Sequence, residues 1–278
     1  MGLFVTSLNS GSNGNCYYIG NEHEAILIDG GISCRETEKR MKRLGLSLKK
    51  VKAIFISHEH GDHIHGVPAL SKKYQLPVYI TPPTLNNGRV NIREELVHPF
   101  RAYQPVTIGN FSITAFPKEH DACDPHSFII SSNGITIGVF TDIGVSCKHV
   151  TQHFRLCHAA FLESNYDAHM LEKGRYPYHL KNRIRGGKGH LSNDQAMRLF
   201  TQHKAPHMSH LFLSHLSRDN NSPELVKKLF SSVANTTEII IASRDRETDV
   251  YHVTPNRGSI KPNRRSKFAY AGQLSLFQ

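Results

Sequence analysis

The sequence has no tryptophan, only five cysteines, and fewer acidic residues (23) than lysines and arginines (34). The missing tryptophan excludes nothing. The cysteines, Cys16, Cys34, Cys123, Cys147 and Cys157, are odd in number and show no CxxC spacing. A disulfide scaffold or a thiolate zinc knot is therefore not expected, and a reducing cytoplasm fits. No apolar run approaches bilayer-spanning length, and the opening Met1-Gly2-Leu3-Phe4-Val5-Thr6 lacks the charged and apolar regions of a signal peptide. The expectation is a cytoplasmic protein with no membrane association. The acidic deficit leaves a net charge of +11, which favours a polyanionic partner. Solvated lysines are common, so this balance carries weight only where the site chemistry agrees with it.

Short apolar runs alternate with amphipathic segments, the pattern of an α/β fold. Strands are expected over 3–7, 16–19, 25–28, 53–57, 78–80, 111–116, 127–131, 135–140, 159–163, 210–214 and 238–242. Helices are expected over 34–44, 64–73, 194–202 and 223–232, with shorter ones between 168 and 185. Ser192 and Ser222 stand where N-caps belong, the latter followed by Pro223. Strands in both halves, each followed by helices, imply two mixed sheets between helical layers, and the halves are candidates for a pseudo-repeat. From residue 255 the chain turns polar and basic, punctuated by Pro255, Gly258 and Pro262. Such a segment cannot bury enough apolar surface to order itself. The expected division is a globular domain over 1–254 and a flexible basic tail over 255–278.

Histidine is concentrated at one place. His58, His60, Asp62 and His63 fall in the run HEHGDHIHG, directly after the apolar Val51-Lys52-Ala53-Ile54-Phe55-Ile56. Imidazoles and a carboxylate crowded on the loop leaving a strand suit a divalent transition metal, and no packing requirement would place them there. Three later residues also follow expected strands: His120 in EHDACDP, Asp142 in TDIG and His215 in HLSRDNN. Strand ends are where α/β sheets gather functional groups. Taken singly, each of the three reads as a cap or turn residue; the set in this order is specific.

That order, HxHxDH followed by His, Asp and His, resembles the metallo-β-lactamase-fold hydrolases over nearly all of residues 1–250. The resemblance implies a four-layer αββα sandwich and two divalent ions, zinc or manganese with iron compatible. It implies that His58, His60 and His120 hold one ion, that Asp62, His63 and His215 hold the second, and that Asp142 bridges both. Asp29, at the end of the strand over 25–28, would brace the metal loop without touching metal. Two cations about 3.5–4 Å apart activate a water and stabilise the attacking and leaving oxygens of an in-line displacement. An Asp at position 142 is similar to hydrolases of phosphoesters and thioesters, and departs from most antibiotic-degrading members.

Further stretches bear on substrate. In phosphodiesterases of this fold, a Glu in the place of Glu163 (LESNYD) and a His in the place of His190 (GHLSND) form a polar pair beside the metals. By that resemblance Glu163 orients His190, which protonates the leaving oxygen or binds the scissile phosphate; Asp62 orients or deprotonates the attacking water. Read without the family, His190 caps its neighbouring helix. The loop SGSNGNC reads alone as a tight hairpin turn, and its small residues also allow a phosphate nest. Ser10, Ser12, Asn13, Asn15 and Ser192 are accordingly candidate phosphate contacts. Arg218 could grip a phosphate oxygen, although pairing with a surface acid is an arginine's usual fate. Together these motifs resemble the YycJ/WalJ group of compact bacterial nucleases. His126 departs from the group, which carries a small or aliphatic residue there. No insertion between Asp142 and His215 is long enough for the clamp domain of ribonuclease J-type enzymes, so any single-strand channel falls to the core loops.

The sequence ends on Gln273-Leu274-Ser275-Leu276-Phe277-Gln278. This resembles the peptide by which bacterial polymerases and repair proteins dock on the sliding clamp. Gln273 would supply backbone hydrogen bonds and Leu274, Leu276 and Phe277 the apolar anchors; the alternative is a terminus that folds back on its own core. The expected function is a two-metal, end-directed 5′–3′ or single-strand exonuclease on DNA, recruited by the clamp to repair or mismatch excision. A thioester or lactone hydrolase of the same fold, an RNA-processing enzyme and a non-catalytic clamp adaptor remain alternatives.

Overall fold

Alternate side chains of a strand leave on opposite faces, so a strand covered on both sides reads as a continuous apolar run. The computed structural model describes residues 2–255. The tail beyond it, with the peptide of Gln273, Leu274, Leu276 and Phe277, lies outside the described residues. The first sheet holds β1 (Leu3–Asn9), β2 (Cys16–Gly20), β3 (Ala25–Ile28), β4 (Val51–Phe55), β5 (Val78–Tyr79) and β6 (Val97–His98). The second holds β7 (Val106–Ile108), β8 (Phe111–Pro117), β9 (His126–Ser132), β10 (Ile135–Phe140), β11 (Ala159–Glu163), β12 (His210–Ser214) and β13 (Glu238–Ile241). Finally β14 (Tyr251–Val253) returns to pair antiparallel with β1.

Both sheets repeat one pattern. β1, β2 and β3 run antiparallel, and β4, β5 and β6 then continue parallel to β3. β8, β9 and β10 likewise run antiparallel, followed by β11, β12 and β13 in parallel. Each sheet gains one antiparallel strand on its outer edge, β14 beside β1 and β7 beside β8. The two halves are topological repeats.

Packing confirms four layers. Leu3, Val5, Tyr17, Ile26 and Phe55 from the first sheet meet Phe111, Phe128, Ile137, Phe161 and Phe212 from the second. The intervening residues face outward. Cys16, Tyr18 and Leu27 pack beneath α1 (Cys34–Arg43) and, past the single turn α2 (Gly61–Ile64), α3 (Val67–Tyr74). In chain order the remaining helices are α4 (Pro82–Asn87), α5 (Lys148–Phe154), α6 (Ala168–Lys173), α7 (Tyr178–Arg185), α8 (Asn193–His203) and α9 (Pro223–Ser231). Phe140, Ala160 and Leu162 on the far side pack beneath α5, α8 and α9. Each fully buried Phe contributes about 1.5–3 kcal/mol, which is why the central layer fixes the register of both sheets. No helix among the described residues is long and apolar enough to cross a membrane.

The structure departs from the sequence expectations in particular places. The two- and three-residue strands β6, β7 and β14 and the helices α4 and α5 were not anticipated. The helix expected over 64–73 breaks at His65-Gly66. Gly66 N–H donates to Gly30 O, and a side chain at Gly66 would strike the Ile32 carbonyl. The break gives Asp62 and His63 a turn of their own and leaves His65 exposed. Three loops are laced there: Asn15 N–H donates to Asp62 O at 2.7 Å and Gly31 N–H to Asn15 O at 2.8 Å. A Cβ on Gly31 would collide with the Asp62 carbonyl. We predict that Gly31→Ala costs about 1–3 kcal/mol, as overpacking does, read as a lowered melting temperature. A wild-type melting curve would show that the loops are not tied together in this way.

Candidate metal centre

β8, β10, β11 and β12 all point the same way, so their carboxyl ends form one edge of the second sheet, facing the carboxyl ends of β3 and β4. Asp29, Asp142 and His215 leave these ends with φ of 61°, 55° and 56°. The left-handed conformation is uncommon for residues other than glycine, and it clusters at functional sites. Here it turns the chain sharply and aims each side chain back across the sheet edges.

His58 Nε2 lies 3.1 Å, and His120 Nε2 3.3 Å, from His60 Nδ1. The outer nitrogens fix which inner ones are bare. His120 Nδ1 donates to Gly189 O at 3.0 Å. Ser57 Oγ donates to Asp29 Oδ2, so it accepts from His58 Nδ1 at 2.9 Å. The Nε2 lone pairs of His58 and His120 therefore converge on His60 Nδ1, an arrangement that suits a cation. His63 is gripped on both sides: Nδ1 donates to Asp29 Oδ2 at 2.7 Å, while Nε2 lies 3.0 Å from Asp142 Oδ2. That Asp142 oxygen is buried and meets His63 as an ion pair, without a well-aligned hydrogen bond. Asp62 Oδ2 lies 3.6 Å from His63 Nε2 and 3.4 Å from His215 Nε2. Ligand-type atoms thus gather into His58–His60–His120 and Asp62–His63–His215, with Asp142 joining His58 and His63 in a third group. Clustered imidazole and carboxylate groups with inward lone pairs fit divalent metal.

The electrostatics differ across the site. Burial pushes His58 well below the ordinary imidazole range and His120 down to about 4. Both are neutral, as a metal ligand must be. Burial also opposes charge on His63, but Asp29, Asp142 and Asp62 outweigh it and raise the pKa to about 10. His215 is raised well above its usual value, against burial, chiefly by Asp142, Asp62 and Glu163. In return His63 and His215 hold Asp62 down at about 2 and Asp142 well below the carboxylate range, each against its own burial. Protons on two imidazoles offset the carboxylates; a divalent ion would displace them.

Glu163 and His190 meet beside this cluster. Glu163 Oε1 accepts from His190 Nδ1 at 2.7 Å and lies 3.2 Å from His215 Nδ1, while Oε2 accepts from Ile143 N–H at 2.7 Å. His190 does not cap α8. Ser192 does, through a capping box with Gln195.

The loop before β2 corrects the phosphate-contact expectation. Ser10 and Asn15 are buried. Ser10 Oγ accepts from His215 N–H at 2.8 Å, and Asn15 Nδ2 lies 3.2 Å from Asp62 Oδ2 and 3.0 Å from His63 Nε2. The backbone N–H groups of Ser10, Gly11, Gly14 and Asn15 also have internal acceptors. Ser10 and Asn15 thus brace the cluster and are not free for a phosphate. Ser192, buried as a helix cap, is likewise occupied. Only Ser12, Asn13 and Arg218 of the expected contacts are exposed, and Asn13 and Ser12 face Arg244.

Residues 24–215 match the family described as "Beta-lactamase superfamily domain". This chain belongs to the metallo-β-lactamase superfamily. It is a metal-dependent hydrolase of that fold. It is 34% identical over 238 residues to the exodeoxyribonuclease YycJ of Bacillus anthracis, across 84% of this chain and 89% of that protein. It is 29% identical over 232 residues to the exodeoxyribonuclease WalJ of Streptococcus pneumoniae, across 81% and 86%. Among solved structures, the Zn2+-bound PqqB of Methylobacterium extorquens shares the fold at a TM-score of 0.69 and 13% identity, covering 88% of this chain and 99% of that one.

Three supports of this metallo-β-lactamase centre escaped sequence reasoning. Ser57 joins Asp29 to His58; Asn165 Nδ2 donates to His215 O at 2.8 Å; buried Lys118 donates from Nζ to Thr141 O at 2.7 Å, beside Asp142. Burial lowers the Lys118 pKa although Asp142, Asp29 and Glu163 favour its charge. Nothing local marks a buried lysine, whereas Ser57 and Asn165 flank singled-out motifs. Asp29 is fully buried and orients His63 directly and His58 through Ser57. We predict that Asp29→Ala lowers metal affinity about 10- to 100-fold, measured by competition with a chromogenic chelator; wild-type affinity would exclude the bracing role.

Proposed function

We propose that this chain is a two-metal phosphodiesterase that hydrolyses DNA from single-stranded or recessed ends in the 5′–3′ direction. The observation that carries this is Asp142, a buried carboxylate standing between two groups of ligand-type side chains. In this reading His58, His60 and His120 hold one ion, Asp62, His63 and His215 the other, and Asp142 reaches both. Zinc or manganese suits these donors, and iron is compatible. Bound as a pair, the ions supply an acidified water and positive charge for the phosphate oxygens.

The protein's own groups supply the rest. Asp62, with 21% of its side chain exposed, stands at the solvent side while His63 is sealed, so it is placed to orient the attacking water or accept its proton. Glu163, held ionised with a pKa of about 2 by His190 despite its burial, fixes His190 Nδ1. That leaves His190 Nε2 for the leaving oxygen, a general-acid role worth about 10²–10⁴-fold. DNA as substrate is supported by the activity for which YycJ and WalJ are named and by the net charge of +11. A role in repair or mismatch excision, with recruitment to the sliding clamp through Gln273, Leu274, Leu276 and Phe277, rests on the terminal peptide.

Two predictions test this reading. His60→Ala should reduce hydrolysis of end-labelled single-stranded DNA to background in every metal tried; undiminished cleavage would refute the assignment, and a preference for labelled RNA or a glutathione thioester would redirect it. Deleting residues 273–278 should leave cleavage of bare DNA intact and remove binding to purified clamp in surface plasmon resonance. Equal clamp affinity with and without those residues would rule out the docking role.

A further inference from the structure

Between β11 and α8 the chain builds a platform of its own. Helices α6 and α7 pack on a small apolar cluster of Tyr166, Leu171 and Ile184, with Tyr176 and Leu180 against it, separate from the three large cores. Its outer surface is basic. Lys173, Arg175, Lys181, Arg183, Arg185 and Lys188 face a single acid, Glu172, across residues 172–188. Lys173, Arg175 and Lys188 have no side-chain ion pair or hydrogen bond among the described residues. Tyr178, 73% exposed, is the most exposed large apolar side chain described. The Arg185 guanidinium stands 5.8 Å from its ring centre.

This platform borders the metal centre on two sides. Arg183 Nε pairs with Asp121 Oδ2 at 2.5 Å, next to His120, and Asp121 N–H donates to Lys188 O at 2.9 Å. Tyr176 Oη donates to Asp219 Oδ2 at 2.8 Å, and Asp167 N–H to Asn220 O at 2.8 Å, both in the loop that follows His215. The platform then runs directly into Gly189, which fixes His120, and into His190. The platform therefore adjoins the loops that carry His120, His190 and His215.

We propose that residues 172–188 form the surface that grips a single DNA strand as it is fed to the metal centre, an inference that rests on the DNA-phosphodiesterase reading above. Unpaired cations match a run of phosphates, and an exposed tyrosine offers a stacking face that only unpaired bases can meet. A duplex presents no free base faces, and a small acidic substrate has no use for cations spread along a helix and loop.

The test uses the full chain loaded with its metal. Binding of fluorescein-labelled oligodeoxythymidylate is followed by anisotropy, and turnover of that strand is compared with turnover of bis(4-nitrophenyl) phosphate. Tyr178→Ala should weaken strand binding about 5- to 100-fold, and Tyr178→Phe should restore it. The double variant Arg175→Ala/Lys188→Ala breaks no internal pair; it should lower the logarithmic salt slope by about 0.7 per lost phosphate contact. Both should reduce the ratio of strand to small-diester turnover. If Tyr178→Ala fails to fold, the double variant decides. Wild-type binding, slope and ratio in the variants, with DNA still cleaved, would overturn the platform and leave the DNA reading standing. Turnover of the small diester with no cleavage of DNA by the wild type would overturn both.

Discussion

A carboxylate with no access to water governs the site. Asp29 accepts from Ser57 N–H at 2.8 Å, from Ser57 Oγ at 2.9 Å and from His63 Nδ1 at 2.7 Å. A buried charge left without partners costs about 3–5 kcal/mol, so the loop from Ser57 to His63 is forced to supply them. In doing so it fixes the ring orientation of His63 and, through Ser57, the tautomer of His58. The inward-facing lone pairs follow from this one anchor.

The repeated topology gives the anchor a counterpart. Asp29 leaves β3 and Asp142 leaves β10, the third antiparallel strand of each half, and both turn in the left-handed region. They grip the same imidazole, His63, from its two nitrogens. Asp29 is closed off by the Ser57 backbone and hydroxyl donors as well, while Asp142 Oδ2 has no contact comparable to these. The difference in exposure to further partners lies in what each loop offers around the carboxylate, not in the residue or the turn.

Much of this was legible beforehand because ligand chemistry is crowded. His58, His60, Asp62 and His63 cannot be explained by packing, and their partners at strand ends came with the pattern. Long strands such as β10 and β11 were plain because both faces are apolar. The two-residue strand β6 and the three-residue β14 draw on neighbours distant in sequence, which no local window contains. Pro68, near the start of α3, was a usable sign that the helix begins after His65-Gly66, and Thr81-Pro82 a similar sign for α4. Ser10 and Asn15 misled because small polar residues in a glycine-rich loop look available. Whether such groups face solvent or a buried partner depends on what the remote β12 loop brings, and Ser10 meets His215 across 205 residues.

The ligand-type residues are divided between the repeats: His58, His60, Asp62 and His63 come from the first, His120, Asp142 and His215 from the second. Neither half can assemble the centre alone. A nascent chain emerging from the ribosome would stay chemically inert until its later strands had docked. Once they do, any cation seated there becomes a rivet across the seam between the sheets, and its binding free energy adds to what already holds the two halves together.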